Sequence, residues 1–424
     1  MQKIILPFLF FIFSQASFAQ DTIQQIVPGR KNAGNQVNKP YVILISADGF
    51  RYDYAEKYQA TNLLRLRQSG VQAKSMIPSF PSVTFPNHYS IATGLYPAHH
   101  GLVYNQFYDR NRKATYSISD RKTVEDGTWY GGTPLWVLAE QQSMLSASYY
   151  FVGTEAAIQQ TYPTYWYKFG DSTDINYRIN KLVDWLKLPE DIRPHFITFY
   201  ISNVDHDGHM YGPDAPQTQA AVQFVDKAIG SMVEKVNALG LPVNFIFLAD
   251  HGMANVDTVT RINIAAMIDT ANFILRGGGT SLHLFAKQTA DIKPTYEALK
   301  KLEKNFTVYL REDIPAKWHY NKTDDRFNRI GDIFVVPSYP YVLSGYRNRI
   351  SPGAHGFDPA MKEMHASFYA WGPQIKKGKT IPSFENVHVY PLVCRLLGLT
   401  YTQEIDGDAR LIKKVLRKNM ELVK

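Results

Sequence analysis

Three stretches of the chain are almost continuously apolar, and each of them stops at an aspartate. They read YVILISADG from residue 41, HFITFYISNVD from residue 195 and VNFIFLADHG from residue 243. Runs of this kind are typical of parallel strands that are buried on both faces of a sheet. The pattern therefore predicts three buried strands, the second ending near Asp205, with functional groups at their carboxyl ends.

Segments with helical periodicity alternate with these strands. Residues 54–67 follow the first strand, and residues 222–240 form an amphipathic pattern that stops at a glycine, a common helix terminator. Strands that alternate with helices predict an α/β sheet covered on both faces. A different pattern at 281–344 mixes three short apolar runs with one helix-like segment, and it predicts a smaller α+β insertion near the site.

The composition is ordinary for a globular protein, with 45% hydrophobic and 20% charged residues. The 424 residues suffice for one large domain or two ordinary ones, and we expect one domain over 39–424. The single cysteine, Cys394, excludes an internal disulfide. The net charge of +8 favours anionic substrates only weakly. No nucleic-acid-binding motif is present, and the basic segment from residue 410 has the pattern of a packing helix.

Residues 1–19 have the pattern of a secretory signal. Lys3 precedes the apolar run IILPFLFFIF, and Ser17 and Ala19 are small residues at the cleavage-determining positions. The run is shorter than the roughly 20 residues that a membrane-spanning helix needs, and an uncleaved anchor is the alternative. We expect an exported protein, periplasmic or secreted, in which residues 20–38 form a linker and no transmembrane anchor remains after cleavage.

Oxygen and nitrogen ligands occur at the ends of the predicted strands and in glycine-containing loops. They are Asp48, Asp205, His209, Asp250, His251 and His355. Taken singly, each has a structural alternative, such as a turn, a cap or a surface histidine. Taken together they predict a site, because the carboxyl ends of strands in an open α/β sheet share one crevice. Mixtures of aspartate and histidine suit Zn²⁺, and six ligands with Thr84 are enough for two metal ions.

Thr84 lies in the segment SVTFPNHYSIATG, where a loop meets a helix-like stretch. A threonine at such a junction is usually a cap, and Pro86 fits the first turn of a helix. The alternative is a nucleophile at a helix N-terminus, where backbone amides favour an anion. Two metals about 4 Å apart are a recurring device of phosphoryl chemistry. Since metal coordination activates a weakly nucleophilic hydroxyl, the combination favours the nucleophile.

These motifs resemble the nucleotide pyrophosphatase/phosphodiesterase family of the alkaline phosphatase superfamily. The motifs are ISADGFR, SVTFPNHYSIATGLYPAHHGLVYNQFYD, DHDGHMYGPD, ADHGM and GAHGFDP, and the resemblance covers residues 41–399. It implies an alkaline-phosphatase-like fold, in which helices sandwich a mostly parallel central sheet. It also implies that residues 39–424 form an exported, zinc-dependent phosphodiesterase or nucleotide pyrophosphatase with a phosphoryl-threonine intermediate.

The resemblance further implies two zinc ions per chain. One is held by Asp48, Thr84, Asp250 and His251, and the other by Asp205, His209 and His355. It implies a small nucleotide or phosphodiester substrate and a monomeric or dimeric protein.

Four other residues are expected at the substrate. Asn105 would donate its amide to a phosphate oxygen beside the backbone N–H of Phe85, and the base would stack among Phe85, Tyr200 and Phe169. Packing in the core is the alternative for the three aromatic residues. The stretches FVGTE and ISNVD depart from the usual family pattern, which affects the base and sugar preference rather than the metal centre. His88, on the helix after the nucleophile, is expected to be structural.

Other activities fit the motifs less well. A sulfatase needs a Cys/Ser-x-Pro-x-Arg motif, which TFPNH does not provide. A phosphomonoesterase usually needs extra positive groups for a dianionic phosphate, and the nucleophile motif contains none. A phospholipid-type phosphodiesterase carries different residues after the nucleophile. A catalytically silent metal-binding protein should have lost a ligand or the nucleophile, and this chain retains them all.

Export gives the first testable prediction. Cleavage after Ala19 should leave Gln20 as the first residue of the mature protein, because the small residues of a signal lie just before its cleavage site. The intact mass of protein recovered from the periplasm or the medium measures this. A recovered mass that still includes residues 1–19 would favour the anchored form.

Overall fold

The strands of the computed structural model follow the apolar runs of the sequence. The structure describes residues 23–170, 172–344 and 349–418, so the predicted signal at 1–19 lies outside the described residues. The strands are β1 Gln25–Ile26, β2 Tyr41–Ala47, β3 Val71–Ala73, β4 Met76–Ile77, β5 Gln106–Asp109, β6 Ala114–Ser117, β7 Ser146–Tyr149, β8 Tyr165–Tyr167, β9 Phe196–Ile201, β10 Val243–Leu248, β11 Ala254–Asn255, β12 Phe273–Gly278, β13 Ser281–Ala286, β14 Phe306–Leu310, β15 Ile333–Pro337, β16 Gly353–Ala354, β17 Phe368–Trp371, β18 Lys379–Ile381 and β19 Phe384–Glu385.

The helices lie mostly between these strands. They are α1 Tyr54–Lys57, α2 Thr61–Gln68, α3 Thr84–Thr93, α4 Pro97–His100, α5 Arg121–Val124, α6 Leu135–Gln141, α7 Ile175–Leu186, α8 Asn203–Tyr211, α9 Pro216–Asn237, α10 Ile292–Lys300, α11 Val389–Leu397 and α12 Ile412–Val415. Within the described ranges, none of them combines the length and the apolar character that a bilayer crossing requires.

The central sheet has nine strands in the order β1-β8-β7-β9-β2-β10-β17-β3-β18. The five strands from β8 to β10 are parallel, whereas β1 and β17 pair antiparallel with their neighbours. Every residue of β2, β9 and β10 is buried. Because successive side chains of a strand point to opposite faces, both faces of the sheet are covered. The predicted α/β fold with a mostly parallel sheet is confirmed.

Two groups of helices cover this sheet. Helices α2 and α7 contact α9, and they also contact β17 and β7 respectively. Helix α11 contacts α3, α6 and strand β2. The arrangement is the three-layer sandwich that the alternating pattern predicted.

The second buried strand is shorter than predicted. It ends at Ile201, and Asp205 lies instead on helix α8. The glycine and aspartates of DHDGH look like a loop in sequence, but α8 packs on α9 and β16. Asp205 in the first turn and His209 in the last turn also suit the helix dipole. Residues 54–67, predicted as one helix, form the two helices α1 and α2.

The described part of the predicted linker is attached to the domain. Strand β1 pairs with β8 at the edge of the central sheet. The buried side chain of Asn32 donates to the carbonyl oxygens of Glu190 and Arg193, at 2.9 and 2.8 Å, and accepts a hydrogen bond from the N–H of Leu145. Polar composition suggested a solvated linker, but these polar groups are satisfied by the domain itself.

The α+β insertion has its own four-stranded antiparallel sheet, in the order β12-β13-β15-β14, and its own apolar core. The sheet begins at Phe273, whereas the sequence pattern predicted a start after residue 280. Strand β12 was missed because FILRGG ends in glycines, which are not typical of strands. The packing helix predicted from residue 410 is short, since α12 covers only Ile412–Val415. Residues 419–424 lie outside the described ranges.

A buried ion pair joins the insertion to the main domain. Arg329 is 2% exposed, and its Nε donates to Oδ2 of Asp109 at 2.8 Å. Its Nη1 donates to the carbonyl oxygens of Gly101 and Trp129 at 2.8 and 2.7 Å. Asp109 ends β5, the strand that directly follows Asn105. The pair therefore holds the segment that carries a predicted substrate contact.

Asp109→Asn should lower the free energy of unfolding by about 3–5 kcal/mol, because it leaves the charge of Arg329 buried without a counterion. Urea denaturation measures the change. Asp191→Asn is the control, since Asp191 forms an exposed pair with Lys31 and its loss should have little effect. Equal effects of the two substitutions would contradict the role given to the buried pair.

Candidate active site

The predicted ligands converge at one edge of the central sheet. Asp48 directly follows β2, and Asp250 and His251 lie just beyond the end of β10, the parallel neighbour of β2. Helix α8 presents Asp205 and His209 one turn apart, and His355 follows β16. The structure thus brings all six residues together, and it does so at the carboxyl ends of parallel strands, where ligands bind in open α/β sheets.

Gly49 permits the close approach of the first strand to α8. Its φ of +68° lies in the left-handed region, and a Cβ there would lie 2.9 Å from the Cα of Asp205. Its N–H donates to Oδ1 of Asp250 at 3.2 Å. A side chain at this position would push Asp48 and Asp205 apart.

The site contains two adjoining groups of ligands. In the first, Nε2 of His251 lies 2.9 Å from Asp250 Oδ2, 3.5 Å from Asp48 Oδ1 and 3.3 Å from Thr84 Oγ1. In the second, Nε2 of His209 and Nε2 of His355 each lie 3.5 Å from Asp205 Oδ1. The two groups have the composition of the two predicted ligand sets.

The two groups also touch. The rings of His251 and His355 stack with their centroids 3.6 Å apart. Ligand atoms of Asp205, His251 and His355 lie within 4.8 Å of one another, as do those of Asp48, Asp250 and His251. His251 therefore stands at the boundary between the two groups.

All three ligand histidines are oriented in the same way. Nδ1 lies 2.9 Å from the Gly353 carbonyl oxygen in His209, 2.9 Å from that of Gly252 in His251 and 2.8 Å from that of Ser82 in His355. A carbonyl oxygen only accepts, so each Nδ1 carries a proton and each Nε2 faces the site, where a metal ion would take the place of any proton on it. This is the arrangement that protein backbones impose on metal-binding histidines.

The carboxylates supply the strongest argument for a cation. Oδ2 of Asp250 faces the imidazoles of His251 and His88, whereas Oδ1 of Asp48 and Oδ1 of Asp205 are buried atoms without a hydrogen-bond partner. Buried polar atoms are nearly always satisfied, so these two oxygens lack something that the folded chain does not provide. Oxygens of three carboxylates, three imidazole nitrogens and a hydroxyl are a donor set that fits metal ions of the zinc type.

The same crowding perturbs the carboxylates. Burial and the charges of Asp250 and Asp205 raise the pKa of Asp48 well above its usual range. Burial alone would also raise the pKa of Asp250, but the adjacent His251 and His88 hold it well below its usual range. Positive charge at this position is therefore stabilising.

Thr84 does not cap helix α3. It is the first residue of that helix, Val83 occupies the cap position, and no side chain makes a capping hydrogen bond. Its half-buried hydroxyl instead lies 3.3 Å from Nε2 of His251, within the first group of ligands. The cap interpretation is wrong, and the hydroxyl is free of the role that such a threonine usually has.

His88 is a contact that the sequence did not reveal. It is fully buried, and its Nδ1 lies 3.0 Å from the carbonyl oxygen of Thr84 and 3.3 Å from Oδ2 of Asp250. Its Nε2 lies 2.8 Å from Oγ of Ser46. It is structural, as expected, but it links helix α3, which begins at Thr84, to the candidate ligand Asp250. Its position one turn after Thr84 was the available signal.

The predicted stacking residues differ in exposure. Tyr200 is buried, and its hydroxyl donates to Oδ2 of Asp48 at 2.6 Å, so the core alternative holds for it and it orients a ligand. Phe169 is 41% exposed, with its ring centroid 6.1 Å from that of Tyr200. Phe85 is half-buried at the start of α3. Accessible ring surface therefore comes from Phe169 and Phe85.

The predicted phosphate donors contact each other. The backbone N–H of Phe85 donates to Oδ1 of Asn105 at 3.1 Å. Their proximity agrees with a shared ligand, but the N–H must leave this hydrogen bond before it can bind a phosphate oxygen.

A model of the type I phosphodiesterase/nucleotide pyrophosphatase family matches residues 42–358. The chain belongs to this family. An uncharacterised pyrophosphatase/phosphodiesterase of Schizosaccharomyces pombe is 35% identical over 88% of this chain and 80% of its own length. A venom phosphodiesterase of Crotalus durissus collilineatus is 34% identical over 84% of this chain. Ectonucleotide pyrophosphatase/phosphodiesterase family member 1 of Mus musculus is 32% identical over 86%.

The chain spans less than half of the length of the venom and mouse relatives, at 44% and 41%. Among solved structures, murine ectonucleotide pyrophosphatase/phosphodiesterase 5 superimposes with a TM-score of 0.83 at 28% identity, over 89% of this chain and all of that one. An inactive variant of that murine protein, with a threonine replaced by alanine, was solved in complex with AMP. The predicted family and its fold are confirmed.

The unpaired carboxylates lead to a prediction for the metal-free protein. Asp48→Asn should raise its melting temperature, because it removes one of three crowded negative charges and keeps an acceptor for Tyr200. A carboxyl whose pKa is raised by folding loses its stabilising contribution as the pH rises toward the folded-state pKa. The gain should therefore be larger at pH 8 than near pH 4.

The same variant should bind zinc more weakly, since it has lost an anionic ligand. Melting temperatures measured with chelator and with added zinc separate the two effects. Asp191→Asn, at an exposed site, is the control. A metal-free Asp48→Asn protein that is less stable than wild type, with an unchanged response to zinc, would contradict this account of the site.

Proposed function

We propose that the protein is an exported, zinc-dependent phosphodiesterase or nucleotide pyrophosphatase that acts through a phosphoryl-threonine intermediate. The observation that carries this proposal is the position of Thr84. Its hydroxyl caps no helix and lies 3.3 Å from His251, beside carboxylates that have unpaired oxygens. The murine relative whose threonine-to-alanine variant is inactive, and which binds AMP, supports a threonine nucleophile and a nucleotide substrate.

Asp48, Thr84, Asp250 and His251 would hold one zinc ion, and Asp205, His209 and His355 the other. Bound there, two zinc ions would supply the positive charge that favours an ionised hydroxyl and neutralises the phosphate. The remaining roles in the reaction belong to side chains and backbone groups of this chain.

The reaction has two displacements. In the first, Oγ1 of Thr84 attacks phosphorus, gives up its proton and forms the new P–O bond as the ester or anhydride bond to the leaving group breaks. The amide of Asn105 and the N–H of Phe85 then hold a phosphate oxygen, once their mutual hydrogen bond has opened. In the second, water attacks phosphorus from the side of Asp205, His209 and His355, the bond between phosphorus and Oγ1 of Thr84 breaks, a proton from the water restores the Thr84 hydroxyl, and the phosphate product leaves.

The site offers two places for groups attached to the phosphate, and this favours a diester over a monoester as the substrate. A cleft of about 710 Å³ opens beside His209, His355 and Asn105, and no acidic residue lines it within the described part of the chain. It is suited to an anionic leaving group. Phe85 and the exposed Phe169 offer ring surface for a base outside this cleft. A phosphomonoester has only one substituent and would use only one of these places.

Export is part of the proposal. It is supported by the signal-like pattern of residues 1–19 and by the relatives, which include a venom phosphodiesterase and an ectonucleotide pyrophosphatase/phosphodiesterase.

The central test is substitution of Thr84. Thr84→Ala should lower turnover of a nucleotide diester by at least about a thousandfold, because each tenfold corresponds to about 1.4 kcal/mol of barrier and the nucleophile carries the first step. Thr84→Ser should keep part of the activity, since the oxygen remains but gains rotamer freedom. The melting temperature of both should stay close to that of wild type, because Thr84 makes no cap.

Turnover and zinc content by elemental analysis are measured on the same preparations. A Thr84→Ala protein that retains metal and most of the wild-type rate would show that Thr84 is not the nucleophile. If Thr84→Ala loses its activity only because it has lost all of its metal, then Thr84 is a metal ligand and not a nucleophile.

A further inference from the structure

Few contacts hold the side chain of Phe169, although it is one of the two rings proposed to stack on the base. It lies two residues after β8, and its ring is 41% exposed. Its neighbours are the edges of two tyrosine rings, Tyr150 at 5.4 Å and Tyr200 at 6.1 Å between centroids. Where the ring stands therefore depends strongly on where its own backbone is fixed.

That backbone is fixed by a buried carboxylate. Oε1 of Glu155 accepts a hydrogen bond from the N–H of Phe169 at 2.8 Å. Glu155 is 5% exposed, and its other oxygen, Oε2, pairs with the guanidinium of Arg121. A buried charge is costly unless it is paired, so the pair and the hydrogen bond form one unit.

The unit ties Phe169 to helix α5. Arg121 begins α5, and it also pairs with Glu125 at 2.8 Å. Glu125 in turn lies 3.2 Å from Nζ of Lys168, the residue before Phe169. Two consecutive residues of the Phe169 segment are thus held by carboxylates that share one arginine.

The same region also reaches Phe85, the other ring proposed to stack on the base. Helix α5 follows strand β6, in which Tyr116 is fully buried. The ring of Tyr116 lies 6.5 Å from that of Phe85. The segment that anchors Phe169 therefore continues into the strand that packs on Phe85, so the two aromatic rings share one support.

We propose that Glu155 is a positioning residue for recognition of the nucleotide base: its carboxylate holds the backbone of Phe169, and thereby the ring, at the base slot. This inference rests on the proposed function, because it needs a substrate that carries a base. Glu155 does not touch phosphorus or the ligand groups and should leave the chemical step unchanged. Its effect should appear only with substrates that use the slot.

Two chromogenic esters separate these possibilities. The p-nitrophenyl ester of thymidine 5′-monophosphate carries a base, whereas methyl p-nitrophenyl phosphate carries neither a base nor a second aromatic ring. Glu155→Ala should raise KM for the thymidine ester about tenfold, the order expected when a stacked base loses its aromatic partner, with kcat nearly unchanged. Its kinetics with the base-free ester should stay within about twofold of wild type. Glu155→Gln, which keeps an acceptor for the Phe169 N–H, should restore most of the affinity.

A double-mutant cycle with Phe169→Ala tests whether Glu155 acts through Phe169. Phe169→Ala alone should raise KM for the thymidine ester by a similar factor. In the Phe169→Ala background, Glu155→Ala should then add less than about a twofold change, because the group that it positions is already gone. The proposal would be overturned if the two substitutions multiplied each other's effect on KM. It would also be overturned if the base-free ester showed the same rise in KM as the thymidine ester.

Arg121→Met covers the case in which Glu155→Ala does not fold, since the Arg121 side chain is 46% exposed. It should raise KM for the thymidine ester alone, and kinetics unchanged from wild type would overturn the proposal. Melting temperatures accompany each variant. Wild-type protein that cleaves neither ester would overturn the proposed function itself, which is a different outcome from an active enzyme whose cycle is additive.

Discussion

Mutual repulsion of three crowded aspartates is the constraint on which the site depends. Asp48 and Asp205 each leave an oxygen unpaired, and Asp250 is paired with His251 and His88; all three lie at strand ends or on a helix whose positions are set by the core. The fold cannot relieve this repulsion by moving them apart, because β2 and β10 are buried neighbours in the sheet. His251 and His88 balance the charge of Asp250, and a cation held among the carboxylates and the three imidazole Nε2 atoms that face the same space would balance the rest.

The surrounding polar groups make that arrangement rigid. Backbone carbonyls fix each ligand histidine through Nδ1, Tyr200 fixes Asp48, and His88 joins Asp250 to the backbone of Thr84. Outer contacts of this kind orient ligands and set their basicity. They also explain why Thr84 needs no capping role: the helix start is held by His88 from within the core, and the hydroxyl remains available to the site.

Much of this was accessible from sequence because it rests on local patterns. Apolar runs that end at Asp48 and Asp250 predicted the buried strands and their functional ends, and glycines nearby indicated close approach. What failed had no local signature. DHDGH became a helix through contacts with α9 and β16, β12 was masked by glycines, and residues 23–38 joined the domain through Asn32 and an edge strand. Tertiary contacts decided each of these against the propensity of the segment.

The same distinction separates the two halves of the active site. The candidate ligand half lies close to short motifs, with Asp48 and Asp250 just after strands and Asp205 on helix α8, so motifs predict it residue by residue. The candidate substrate half is more exposed and depends on contacts between residues that are distant in sequence. Asn105 precedes a strand that the Asp109–Arg329 ion pair holds, and the backbone N–H of Phe169 donates to Glu155. A motif can report which aromatic residue is present, but the position of an exposed ring is decided by its distant anchor. Short motifs are therefore enough to indicate the class of reaction, whereas the base that the enzyme prefers also depends on residues outside those motifs.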